Sequence, residues 1–284
     1  MTVLRQDPTV HPATLEQWAL DWLATDTLEA KRTLGPIPDA IASDFAPRRD
    51  VRPSRPHPLV VTDRAERLGT HPQAMRDPRR RAAHLHAFVH HELQAAELFM
   101  WAIVTWPDAP LAFRRGLAKI AQDEVRHLDL YLQRIEALGF HWGSFAVRDW
   151  FWQRLAHAPT PAHLVATLGL GFEGANLDHV SRFKTLYENA GDHESAEVIA
   201  RVGEEELPHV RFARHWFEKF TGSIAADVWQ AHLISPISPM LLRGATLDRA
   251  ARLRANMPAE IIDAIEHYVP HPPARLSDDL PKSP

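Results

Sequence analysis

Two Glu-x-x-His sequences, Glu124-Val125-Arg126-His127 and Glu206-Leu207-Pro208-His209, set a carboxylate and an imidazole three residues apart. On a helix that spacing places both groups on one face, where they can grip a single ion. The motif by itself is weak: with 18 His and 17 Glu in 284 residues, about one match arises by chance. The repeat around it is stronger. Glu92 lies 32 residues before Glu124, and Glu173 lies 33 before Glu206. The two halves are offset by 81 residues at the first Glu and by 82 at both the second Glu and the His. A separation of 32–33 residues across an antiparallel helical hairpin brings the two positions level. Glu92, Glu124, His127, Glu173, Glu206 and His209 then form the ligand set of a carboxylate-bridged two-metal site inside a four-helix bundle.

The neighbours of these residues fit that chemistry. Glu92 shares its helical face with Leu85, Val89, Ala96 and Phe99, and Glu124 with Leu117, Ala121, Leu128 and Tyr131. Glu173 sits among Ala166, Leu170, Leu177 and Val180, and Glu206 among Ile199, Val202, Val210 and Ala213. Four carboxylates in apolar stripes repel one another and lose hydration, and two divalent cations cancel that charge. Carboxylate oxygens with one imidazole per ion favour iron or manganese over zinc or copper. The chain has no Cys, which excludes disulfides, thiolate zinc sites and cysteine-ligated iron–sulfur clusters.

Four helices are needed to position these groups, and the sequence supplies them between residues 80 and 222, a region rich in Ala, Leu, Glu, Arg and Gln. The first is expected over about Arg80–Thr105, ending at Pro107-Asp108-Ala109-Pro110, and the second over Leu111–Leu138, closed by Gly139. The third opens at a Thr160 cap with Pro161 at its first position and ends near Gly191, and the fourth runs from His193 to Phe220. Short links make each pair an antiparallel hairpin, while the aromatic-rich link 140–158 crosses between hairpins and is expected to cap the bundle. No period-two strand pattern is present. Residues 1–79 contain one amphipathic helix over 13–34 and an irregular Pro- and Arg-rich arm; residues 223–284 contain helical pieces at 246–256 and 258–268, then a polar tail.

The segments Arg52-Pro53-Ser54-Arg55-Pro56, LHAFVHHELQAAEL at 85–98, DEVRH at 123–127, FEGANLD at 172–178 and EEELPHV at 204–210 resemble the ferritin-like di-iron carboxylate superfamily. Within it the chain is most similar to a bacterial ferritin-like family of unknown function related to the tRNA hydroxylase branch. The resemblance spans roughly residues 10–275. It implies an all-α, ferritin-like four-helix bundle with helical N- and C-terminal extensions, and ligands at the same six residues. It further implies a pair of iron ions, with manganese or a mixed manganese–iron pair as the variant. The chemistry it implies is O₂ activation and oxidation of an unknown small-molecule substrate, with an electron donor. The alternatives are iron handling with ferroxidase activity, or a metal pair kept as scaffold.

Other residues compete for roles. Glu97 also has apolar neighbours, but its spacing to Glu124 is 27, which breaks the repeat. His86 and His90 are i, i+4 and could chelate an ion, although hydrogen-bonded helix histidines are the commoner arrangement. Asp123 and Glu205 each precede a motif glutamate, and ligating imidazoles donate their outer N–H to a carboxylate. Asp123 is assigned behind His209 by its likeness to di-iron monooxygenases, with Asp178 as a further candidate for such support. Pro208 is expected to kink the fourth helix, and Tyr131 to be structural or redox-active. Gly169, Gly171 and Gly174 either open space beside Glu173 or allow close helix packing.

From Pro47 to Arg81 ten Arg face four acidic residues; these arginines either tie the arm to the bundle or meet an anion such as RNA. The whole chain carries a formal charge of −4, which does not suit a general nucleic-acid binder. No apolar run approaches the roughly 20 residues of a membrane span, and residues 1–12 lack a signal-peptide pattern, so a cytoplasmic monomer or dimer is expected.

Overall fold

A computed structural model describes residues 14–63 and 69–270. Among them the protein is an all-α helical bundle, whose single β-bridge joins Val61 to Val147. Helices α1 (Leu15–Ala24) and α2 (Leu28–Lys31) precede the bundle. The first hairpin is α3 (Pro78–Thr105) and α4 (Leu111–Ala137), followed by the short α5 (Trp150–Leu155) in the crossing link. The third helix is composite: α6 (Pro161–Leu164), a π-helical stretch (Val165–Glu173) and α7 (Gly174–Asn189). It pairs with α8 (His193–Thr221), after which come α9 (Ala226–Ala231), α10 (Arg249–Arg254) and α11 (Ala259–Glu266).

The boundaries follow local chemistry. Asp77 caps α3 by accepting from Arg79 N at 2.8 Å, and Pro78 takes the first helical position, where no N–H is needed. Asp192 caps α8 through Ser195 N at 3.2 Å. Gly139 and Gly222 end α4 and α8 at φ of 84° and 72°, the left-handed geometry that glycine adopts without strain. The expected 13–34 helix is instead two, because Thr25 leaves helical geometry and Thr27 caps a new start by accepting from Ala30 N. Thr160 does not cap its helix; its hydroxyl meets His163 Nδ1 at 2.9 Å. Helix α8 continues through Pro208.

The hairpins meet through α4 and α8, while α1 and α5 pack on α3 and α10 packs on α7. Leu85, Val89, Leu93, Leu117, Leu128, Val202 and Val210 are buried in the core, each contributing about 1.5–3 kcal/mol of transfer free energy. Three glycines of the third helix are explained by contact. A Cβ on Gly169 would lie 2.3 Å from the Ala213 Cβ, one on Gly171 3.0 Å from Leu242, and one on Gly174 2.7 Å from Met257. They admit close neighbours and open no space beside Glu173.

The arm is held by its arginines. Arg55 pairs with Glu97 at 2.9 Å and Asp149 at 3.0 Å, and Arg49 donates to the Ala158 and Pro159 carbonyls. Arg81 bonds Asp192 and the Met75 carbonyl. Arg64, Arg67, the N-terminal residues 1–13 and the tail 271–284 lie outside the described residues.

Candidate metal centre

The fold brings all six predicted residues to one place in the bundle, every one buried. Helix α3 carries Glu92, α4 carries Glu124 and His127, the π-helical stretch ends on Glu173, and α8 carries Glu206 and His209. Two groups of ligand atoms form, each with all atoms within 4.8 Å of one another: Glu92, Glu124, His127 and Glu206, and Glu124, Glu173, Glu206 and His209. Glu124 and Glu206 belong to both. Glu92 and His127 belong to the first group alone, and Glu173 and His209 to the second. These buried clusters could hold metal ions.

Both imidazoles turn Nδ1 inward. His127 Nδ1 lies 3.3 Å from Glu206 and 3.7 Å from Glu92, and His209 Nδ1 lies 2.9 Å from Glu206 and 3.1 Å from Glu124. The outer Nε2 atoms meet carboxylates: His209 with Asp123 at 3.2 Å and His127 with Glu205 at 3.0 Å. Each helix thus supplies the carboxylate that orients the other helix's imidazole. Arg126 joins the two supports, donating to Asp123 and Glu205 at 2.6 Å each. The sequence signals Glu205 only by its place just before Glu206, matching Asp123 before Glu124, and gives no partner for it. Arg126, the variable position of the first motif, carries no such signal.

The charge balance of the clusters is set by burial and by the pairing of carboxylates with imidazoles. Burial pushes the Glu92 carboxyl well above the usual carboxylate range, and the Glu124 charge adds to it; burial and the Glu206 charge do the same to Glu173. Burial also works against ionising Glu206 and Glu124, yet His209 and His127 hold both below their usual range. Burial opposes the charged imidazoles too, but the surrounding glutamates raise His127 and His209 well above the ordinary histidine value. Both Glu124 oxygens and His127 Nδ1 are buried without a well-formed hydrogen bond. Orphaned inward-facing donors of this kind are what a metal ion satisfies.

The remaining candidates fall elsewhere. Asp178, expected behind an imidazole, forms a two-pronged pair with buried Arg252 at 2.9 and 2.8 Å and accepts from the Gly244 and Asp248 N–H groups. It staples α7 to the C-terminal extension, because Arg252 of α10 reaches it first. Glu97 belongs to the buried Lys31–Arg55 cluster. His86 accepts from Gly143 N and His90 pairs with Asp149, so both are hydrogen-bonded helix histidines. Tyr131 is buried against Phe88 with ring centroids 5.5 Å apart.

A cavity of about 540 Å³ lies between α3 and the third helix. Its inner end reaches Glu92, Glu124 and Glu173, while Phe88, Leu168, Phe172 and Phe183 make its walls largely apolar. Trp150 and Phe151 close one side. The crossing link was expected to cap the bundle; it also forms this cavity wall, which depends on long-range packing that no local pattern reveals.

These features define an all-helical bundle with paired carboxylate–histidine clusters at its centre. The chain belongs to the family described as "Protein of unknown function (DUF455)", which it matches over residues 8–263. It is also 22% identical over 197 residues to an uncharacterized protein of Haemophilus influenzae, covering 65% of this chain and 67% of that protein. No solved structure matches it.

Proposed function

We propose that the protein is a ferritin-like, non-haem di-iron oxidoreductase that activates O₂ to oxidise a small, largely apolar substrate. The observation that carries this reading is the cavity of about 540 Å³ that ends on three of the four cluster glutamates. A purely structural metal pair has no use for such an opening, whereas an oxygenase needs a dry, shaped space beside its ions.

In this reading Glu92, Glu124, His127 and Glu206 would hold one ion, and Glu124, Glu173, Glu206 and His209 the other. A reduced iron pair bound there would supply the electrons that O₂ activation needs. The chain's own residues set the rest. Asp123 and Glu205 fix the imidazole orientations and keep Nδ1 unprotonated toward the ions. Phe88, Phe172 and Phe183 exclude water and position an apolar substrate against the Glu92–Glu173 edge. Manganese suits the same donors.

Anaerobic Fe²⁺ loading followed by O₂ tests the proposal. Two irons per chain, oxidised together, retained, and re-oxidised after each chemical reduction, are expected. Continued oxidation of many irons per chain into a mineral would instead establish iron storage, and a bound pair inert to O₂ would leave only a scaffold role.

A further inference from the structure

A second cavity, of about 530 Å³, lies on the other side of α3. It sits back to back with the first, since Ala87, His91, Trp150 and Phe151 border both. None of the six cluster residues lines it, so it needs its own explanation.

Its chemistry differs from that of the first cavity. Arg79 and Arg148 stand at its rim, both exposed, and neither guanidinium meets a carboxylate among the described residues. Arg79 lies instead over the Phe145 ring, 5.1 Å from its centroid. Phe145 and the Trp150–Phe151 pair give the cavity aromatic walls. Two buried imidazoles line the interior and each has an unsatisfied nitrogen, Nδ1 of His86 and Nδ1 of His90. The His86 Nε2 atom accepts from Gly143 N–H at 3.0 Å, so its ring proton is on Nδ1, a donor without an acceptor. Both nitrogens are closed off from the open space, so the polar contacts a ligand can reach are those of the rim. A cation is disfavoured here, because two guanidiniums guard the rim and the His86 Nδ1 atom already carries its proton.

We propose that this cavity is a second ligand site, for a planar aromatic molecule bearing a carboxylate or a phosphate. Its ring lies among Phe145, Trp150 and Phe151, and its anionic group pairs with Arg148 and Arg79. Guanidinium forks suit both anions, and aromatic walls suit a flat ring. The site does not depend on the metal reading, and the two can fail separately.

Calorimetric titration of the full-length chain with 1-naphthyl phosphate, 1-naphthoate and neutral 1-naphthol tests the site. At least one of the anions is expected to bind once per chain, at least ten times more tightly than naphthol. A tighter phosphate marks a phosphate ester as the natural ligand class, and a tighter or equal naphthoate marks a carboxylate. Arg148→Ala, on an exposed side chain, should weaken the anion at least tenfold. Ala146→Trp, which fills the cavity from its exposed rim, should abolish binding in a chain whose helical circular dichroism is unchanged. Arg52→Ala, an exposed arginine outside this cavity, controls for net charge and should change nothing. Absence of binding by both anions would overturn the proposal. So would equal binding of naphthol, or affinity indifferent to both Arg148→Ala and Ala146→Trp.

Discussion

Each imidazole of the centre is held from behind by a carboxylate of the facing helix, and both carboxylates share Arg126. Losing such a support typically lowers metal affinity about 10–100-fold. Asp123→Asn and Glu205→Gln should therefore each weaken Fe²⁺ or Mn²⁺ binding by that order while the chain stays folded, as measured by competition with a chelator; unchanged affinity in both would remove their role. Proton balance gives a second expectation at this scale. Glu92, Glu173, His127 and His209 all have values raised by burial or by neighbouring carboxylates, so the metal-free centre holds protons that ions must displace. Apparent affinity should rise from pH 6 to pH 8 with proton release on binding, and a flat profile would contradict the cluster's electrostatics. The six central residues were legible because their signal is a repeat, and a repeat of 32–33 residues survives any small error in helix boundaries. Asp178 was misplaced because its true partner, Arg252, lies 74 residues away, with no spacing to announce it.

Among the elements, the third bundle helix is the unusual one. It begins as an α-helix, widens into a π-helical stretch over Val165–Glu173 and returns to α-helix just after the candidate ligand. Such widening often accompanies functional sites. Its glycines seat neighbouring side chains, so Gly169→Val should force Ala213 away and cost about 1–3 kcal/mol in chemical denaturation. Adding Ala213→Gly should recover part of that loss; failure to recover any would show that the two helices do not meet there. The helix itself was legible from its apolar spacing. Its change of winding was not, since glycine-rich apolar segments permit either geometry until the packing against α8 and Leu242 selects one. The same holds for Thr25–Thr27, where a capping hydroxyl divides a continuous amphipathic pattern into α1 and α2.

For the whole molecule, the extensions and the crossing link do more than cover the bundle. The arm enters the interior through Arg55 and its partners Glu97 and Asp149, and Trp150 and Phe151 of the link border both cavities together with Ala87 and His91 of α3. The arm's run of arginines pointed to its docking on the bundle but not to the partners, because ion pairs between residues 42 or more apart leave no local pattern. His86 couples this region to pH. Burial pushes its imidazole down to about 4 from an ordinary 6.5, and His90 and His141 add to the effect. The folded state then binds fewer protons than the unfolded chain between these values, so stability is lost as pH falls from 6.5 to 4, by up to about 3 kcal/mol. Equilibrium denaturation across that range should show a shallower fall for His86→Gln, and an identical slope would exclude the histidine as its source. The central claim, that four glutamates and two histidines hold a pair of ions, is most directly tested by anomalous diffraction at the iron edge from crystals loaded anaerobically with Fe²⁺. Two peaks about 3.5–4 Å apart are expected, with Glu124 and Glu206 between them and His127 and His209 on opposite ions. A single peak, or iron bound only away from these six residues, would contradict it.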